Sequence, residues 1–280
     1  MFRKELNNKI NEINVGVLIP ARDEEKIISN TIDALLNQEL KPKKIIIVND
    51  GSKDNTSNVA SSLGCEVIDL PYDGIHGLDE LKMANVYNVG LKNLNEGFDY
   101  ILELSSDHIL PSNYISDIVN EMEKNSKLVI SSGKIENEKQ NSLIPRGSGR
   151  LIKSQFYKEL GFNWPKKYGA ESYFVYKAWE LGYETKVFDI LTTARKTGTN
   201  YSSSTFVNIG KACKALGYNS FYAIGTFVNR SIKFGNVKIF FSCLKGWLSK
   251  VEFYDKNFRK FINQNQKNRI KNIIKSKIFR

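Results

Sequence analysis

Four short polar clusters carry the residue types that can hold a phosphorylated, hydroxyl-rich molecule: Pro20-Ala21-Arg22-Asp23-Glu24-Glu25, Asn49-Asp50-Gly51-Ser52, Ser105-Ser106-Asp107-His108 and Ala170-Glu171-Ser172. A carboxylate accepts hydrogen bonds from a base imide or a ribose hydroxyl, and it can hold a divalent cation against a diphosphate. Each acid also has a plainer reading. Asp50 fits an Asp-Gly turn that caps a helix, Asp107 fits a cap for a helix opening near Pro111, and Glu171 fits favourable negative charge in a helix's first turn. Gly147-Ser148-Gly149-Arg150 either presents backbone N–H groups to a phosphate or acceptor, or merely links two elements. His76 and His108 are the only histidines; His108 beside Asp107 is a cation ligand or a solvent-facing side chain. Trp164, Tyr168 and Tyr173 flank Glu171 and suit either a sugar face or a core.

These clusters need a scaffold that brings them together, and the hydrophobic pattern predicts one. Apolar runs at Val15–Ile19, Lys44–Val48, Glu66–Leu70, Tyr100–Leu104 and Leu128–Ser131 alternate with stretches of helical period. That alternation predicts an α/β fold with a mostly parallel central sheet and flanking helices. Ile28, Ile32, Leu35 and Leu36 form one helical face, Asp54 caps a short helix ended by Gly64, and Ile115, Ile118, Val119 and Met122 mark another buried stripe. Ligands of such sheets bind beyond the carboxyl ends of the strands, where the first three clusters fall. Lys134 to Gly149 reads as a functional loop. Helices are expected over Leu151–Leu160 and Glu171–Leu181, each ended by a glycine.

Taken together, the clusters resemble glycosyltransferase family 2, with its GT-A, Rossmann-like fold, from about Val15 to Tyr183. The resemblance lies in Val17 to Glu25, in Ile45 to Ser52 ending Asp50-Gly51-Ser52, and in Ile101 to Pro111. The family's strand-end Asp-x-Asp falls on Ser105-Ser106-Asp107, and its Glu-Asp helix signature on Ala170-Glu171 with Lys177 and Gly182-Tyr183. The resemblance implies transfer of a sugar from a nucleotide diphosphate donor, UDP by default, to a hydroxyl of a glycan or polyprenyl-linked acceptor, with inversion. It implies a nucleoside pocket of Pro20, Ala21, Arg22, Asp23, Asp50, Gly51 and Ser106, Mg²⁺ or Mn²⁺ at Asp107, and Glu171 as general base. Asn88 with Gly90, and Arg195, are implied near the diphosphate; Arg150, from the glycine segment, is a further candidate for the diphosphate or acceptor. The chain departs from the family pattern at Ser105, at Ala170, and in having no histidine after that helix; Arg195 and Lys196 can supply cations there instead. A non-catalytic protein binding nucleotide sugars or anionic polymers is the rival these departures motivate.

Composition sets the remaining bounds. Three separated cysteines in 280 residues suggest neither a disulfide framework nor a zinc site, and a cytoplasmic setting fits them. The net charge of +11 is local: residues 201–280 hold 16 Lys and Arg against Glu252 and Asp255, whereas residues 1–200 are near balance. The expected division is therefore a catalytic domain over 1–200 and a basic helical extension over 201–280. Phe234, Val237, Phe241, Leu244 and Leu248 read as one apolar helical face, and nine basic residues follow position 255. This extension is either a membrane-surface element drawn to anionic lipid or a packed helix with a solvated charge run. Nucleic acid is not an expected partner.

Overall fold

The computed structural model describes residues 12–72, 80–136, 138, 140–194 and 203–278, with side chains described up to position 269. They fall into two compact units: Met1–Gly77, Asn85–Trp164 and Leu181–Gly198 form the first, and Leu78–Ala84, Pro165–Glu180 and Thr199–Arg280 the second. This differs from a division at residue 200, because the segment bearing Glu171 clusters with the C-terminal helices.

The first unit is built on strands β1 (Val15–Ala21), β2 (Lys44–Asp50), β3 (Glu66–Leu70), β4 (Tyr100–Glu103), β5 (His108–Ile109), β6 (Leu128–Ile135), β7 (Arg150–Lys153) and β8 (Glu184–Ala194). They form one sheet in the order β3-β2-β1-β4-β7-β6-β8-β5. The first four strands in that order are parallel, with Pro20 opposite Val48 and Leu18 opposite Glu103. β7 then runs antiparallel to both β4 and β6, β8 runs parallel to β6, and the two-residue β5 lies antiparallel to β8. β1 and β2 are covered on both faces, which is why VGVLIPA and KIIIVND are nearly unbroken apolar runs.

Helices cover this sheet through the faces expected. In α1 (Ile28–Leu36), Ile28, Ile32 and Leu35 are fully buried, each contributing roughly 1.5–3 kcal/mol. α2 (Thr56–Ser62) is closed at its start by Asp54, whose Oδ1 accepts from the Thr56 N–H at 3.0 Å. In α4 (Tyr114–Glu123), Ile115, Ile118, Val119 and Met122 are buried as the stripe predicts.

Two expectations fail locally, and one strand lies outside any of them. Arg150–Lys153 is strand β7, and only Ser154–Glu159 is helical (α5), so Leu151–Leu160 is not a continuous helix. Leu151 and Ile152 answer to burial between β4 and β6, not to a helical face. The polar segment begins at Glu136, since Lys134 and Ile135 still pair with β8. β8 itself is an eleven-residue strand that the apolar-run pattern does not reveal, because it buries only alternate positions, such as Thr185 and Val187, near its start.

The second unit is helical. It holds the start of α3 (Glu80–Lys92), then α6 (Ala170–Glu180), α7 (Ser203–Ala215), α8 (Ser220–Lys233), α9 (Lys238–Leu248) and α10 (Lys256–Ile278). α7 and α9 meet backbone to backbone: a side chain at Gly210 would strike the Cys243 carbonyl, and one at Gly246 the Val207 carbonyl. Phe206, Cys213, Ala223, Phe227, Ile239 and Cys243 fill the core between α7, α8 and α9. A second core joins α6 to α10, with the Tyr173 ring stacked on Tyr254 at 4.7 Å and Phe258 fully buried. Phe234 closes α8 rather than belonging to α9, so the expected single apolar face is split between two helices. Among the described residues no helix is long and apolar enough to cross a membrane.

Candidate functional site

The parallel order β3-β2-β1-β4 sets four carboxyl ends side by side, and with them three of the four polar clusters. Leaving β1, Pro20 is still paired in the sheet and Ala21 is buried in the core. Arg22 and Asp50 come together across β1 and β2, with Nη1 to Oδ2 at 3.6 Å. Asp50 is thus not the cap of α2; Asp54 takes that role.

The turns after β1 and β2 are stitched reciprocally. The Asp23 N–H donates to Ser52 Oγ at 3.0 Å, and the Lys53 N–H donates to Asp23 Oδ1 at 2.8 Å. The Glu24 N–H donates to Thr56 Oγ1, the Glu25 N–H to Asp54, and the Asn55 N–H to Glu25. These bonds hold Asp23 at φ +53, a left-handed backbone that non-glycine residues adopt when surroundings over-determine it. Burial alone would raise the Asp54 carboxyl, but its hydrogen bonds from Thr56 and Glu25 together hold it below the usual carboxylate value. Gly51 sits at φ +67 with room for no side chain, because a Cβ would lie 2.7 Å from Tyr72 Cα.

Tyr72, just past β3, is a member of this group that sequence reasoning missed. Its ring is half-exposed, with Lys53 Nζ 4.2 Å and the Arg22 guanidinium 5.2 Å from its centroid. A tyrosine after the third apolar run was the available signal. Asn49 supports the same corner, donating to Asp69 at 2.6 Å and accepting from both the Ser52 N–H and Oγ.

Beyond β4, the Ser105–His108 turn is held from two sides. Thr31 of α1 donates to the Ser106 carbonyl at 2.7 Å, and the Ser105 N–H donates to Ser148 Oγ at 3.0 Å. Asp107 is half-buried, and its carboxylate makes no hydrogen bond or ion pair among the described residues. It does not cap α4, whose first turn follows Asn113.

His108 neither faces solvent nor offers a lone pair to a metal. It is 2% exposed, with Nδ1 2.6 Å from Ser148 Oγ and Nε2 2.7 Å from Thr192 Oγ1. The Thr192 hydroxyl donates to the Lys134 carbonyl, so it must accept from Nε2–H, and Nδ1 accepts from Ser148. Burial, opposed by Asp107 and aided by the Arg146 charge, lowers its pKa to about 4.

Arg150 is a core residue, not a diphosphate or acceptor contact. It is wholly buried in β7, with Nε 2.5 Å from Glu103 Oε2 in β4. Tyr157 and Trp164 Nε1 also donate to Glu103, the indole at 2.9 Å, and the guanidinium lies 5.4 Å from the Trp164 centroid. Burial, with the nearby Glu103 charge, pushes the Tyr157 phenol well above its usual value. Trp164 stacks on Tyr87 at 4.0 Å and is buried, so it offers no face to a sugar. Asn88 holds the Trp164 backbone in both directions, and Gly90 lies flush against Leu18 and Val48; both are packing positions. An acid inside the apolar run Tyr-Ile-Leu-Glu-Leu was the sign of this network.

In the second unit, Glu171 is exposed in the first turn of α6, and Ala170 beside it is buried. Gly169 ahead of it donates its N–H to Glu80 at 2.6 Å, and Lys177 pairs with Glu180. Tyr168 carries Lys211 over its ring. Arg195, Lys196 and His76 lie outside the described residues.

The Glycosyl transferase family 2 profile matches residues 16–178, more than half of the chain. The chain belongs to glycosyl transferase family 2. Within the family, 70 residues are 40% identical to 4,4'-diaponeurosporenoate glycosyltransferase of Staphylococcus aureus strain RF122, covering 25% of this chain and 18% of that protein. The chain therefore spans about a fifth of that relative's length. The fold matches S. aureus TarS 1-349 in complex with UDP-GlcNAc, with TM-score 0.56 and 18% identity over 79% of this chain and 73% of that one. It also matches the mannosyltransferase PcManGT from Pyrobaculum calidifontis in complex with GDP-Man and Mn²⁺, with TM-score 0.58 and 14% identity over 84% of this chain and 70% of that one. Both support the family's fold for this chain.

Proposed function

We propose that the protein transfers a sugar from a nucleotide diphosphate donor to a hydroxyl of a glycan or polyprenyl-linked acceptor, with inversion. The observation that carries this reading is the corner formed by Arg22, Asp23, Asp50 and Tyr72 at adjacent parallel strand ends, in a chain of this family. Asp50 accepts the base N–H, and Pro20, Ala21, Gly51 and Ser106 shape the pocket by backbone. UDP is the default donor, in keeping with the UDP-GlcNAc complex of TarS.

A divalent cation, as in the Mn²⁺ complex of PcManGT, fits Asp107 on its chemistry. Among the described residues no three His, Cys, Asp or Glu side chains converge, and both His108 nitrogens are engaged. Mg²⁺ and Mn²⁺ need no more than one or two carboxylates when a diphosphate supplies further oxygens. Asp107 would hold the ion, whose chemistry is to neutralise charge on the departing diphosphate.

In the transfer, the acceptor oxygen bonds to the anomeric carbon as the bond from that carbon to the diphosphate oxygen breaks. Glu171 takes the acceptor proton. An ordinary carboxylate is a weak base for an alcohol, so positioning outweighs basicity. The basic C-terminal segment suits work at the inner face of a membrane, on a lipid-linked acceptor. Buried Ala170 and the isolated Asp107 favour a second reading, in which the protein binds nucleotide sugars without turnover. Release of nucleoside diphosphate from a donor panel, with water as acceptor, separates the two. Glu171→Gln is expected to lower release about 100-fold or more while leaving donor affinity intact; unchanged release would remove Glu171 as base.

A further inference from the structure

The second unit exposes more apolar surface than a solvated helical bundle requires. On α8, Phe221 is 82% exposed and Ile232 74%, with Ile224 and Val228 between them on the same face. Past the turn, Val237 is 67% exposed, Phe241 61% and Leu248 72%. All seven residues from Ile232 to Lys238 are exposed, and of them Phe234 also sets its ring edge-on against Phe206 of the core at 5.7 Å. Exposed apolar side chains in such a cluster mark an interaction surface.

The charge pattern identifies the occupant. Between Ser203 and Lys250 the chain has seven Lys and Arg and no Asp or Glu. Lys233 and Lys238 alternate with Ile232, Phe234 and Val237 across the exposed turn, and Arg230 and Lys245 lie on the same two helices. Protein–protein interface cores are depleted of lysine. A lipid surface suits the mixture, since apolar tips enter the acyl boundary while lysine stems extend to the phosphates. Arg230, Asn229 and Lys233 also border a hollow of about 520 Å³ along α8, whose donors match a phosphate headgroup.

We propose that the α8–α9 turn and its flanking apolar faces dock the protein on an anionic phospholipid surface. The docking element is this helical pair within the bundle. The proposal stands whether or not the protein transfers a sugar.

The test is co-sedimentation of the full chain with vesicles of phosphatidylcholine alone and with phosphatidylglycerol added. The expected result is binding to the phosphatidylglycerol vesicles that high salt weakens. Lys233→Glu/Lys238→Glu is expected to weaken it at least about twentyfold, and Ile232→Ser/Val237→Ser about tenfold or more, both with unchanged melting temperature. All four side chains are exposed, so the variants keep the core intact. Failure to sediment, equal binding to both vesicle types, or binding unchanged by either variant would overturn the proposal. So would size-exclusion showing a dimer that the apolar variant converts to monomer, which would give this face to a second copy.

Discussion

Asp107 and His108 are neighbours with opposite fates, and the difference is set by which strand neighbours each meets. His108 turns inward to Ser148 and Thr192, whereas Asp107 keeps a part-exposed carboxylate at the end of β4. Asp107→Asn is expected to leave the melting temperature unchanged and to cancel any tightening of donor binding by Mn²⁺, read by calorimetric titration. His108 predicts an acid-labile fold. Its folded pKa of about 4 lies below the ordinary 6.5, so the unfolded chain takes up the proton first as pH falls. Stability should drop by about 2 kcal/mol from about pH 7 to about pH 5 and level off below about pH 4. Urea melts across that range would show it, and His108→Gln should flatten that part of the slope. Arg150 makes a contrasting prediction: Arg150→Met leaves Glu103 charged and buried, which costs about 3–5 kcal/mol in stability. A diphosphate ligand would instead lose affinity with stability kept. Arg150 looks in sequence like an anion-binding residue after a glycine loop, and only the pairing of β4 with β7 shows that it faces Glu103.

At the scale of elements, the sequence was most legible where burial is two-sided. β1, β2 and β4 are continuous apolar runs whose polar ends were readable as a ligand edge, and α1 and α4 show their buried stripes at helical spacing. β7 and β8 were not legible for a physical reason. β7 is a four-residue strand continuous with a helix, and β8 carries Thr, Lys and Asp at its exposed positions. Tyr72 was marked in sequence only by its place after the third apolar run; its position against Lys53 and Arg22 comes from β3 lying beside β2. The close turn at Gly51 is testable: Gly51→Ala places a Cβ against the Tyr72 backbone at positive φ. It should lower stability by about 1–3 kcal/mol and weaken donor binding together. In the second unit, Gly246→Ala should melt earlier than the wild type, since α7 and α9 touch at that backbone.

At the scale of the whole molecule, charge and chemistry are divided along the chain. Near-balanced residues 1–200 hold all the proposed donor and catalytic positions, and the last 80 residues hold all of the net positive charge. Composition made that asymmetry plain. It did not show that the segment with Glu171 joins the C-terminal helices, because that grouping rests on Tyr173 and Tyr176 packing with Tyr254 and Phe258, far apart in sequence. The corner at Arg22, Asp50 and Tyr72 is proposed to bind a nucleotide diphosphate. Calorimetric titration of the full chain with UDP, GDP and dTDP, each with and without Mn²⁺, tests it most directly. One of them is expected to bind, more tightly with Mn²⁺, and Asp50→Ala to lose about tenfold or more in affinity. Binding of none of the three, or binding unchanged in Asp50→Ala, would contradict it.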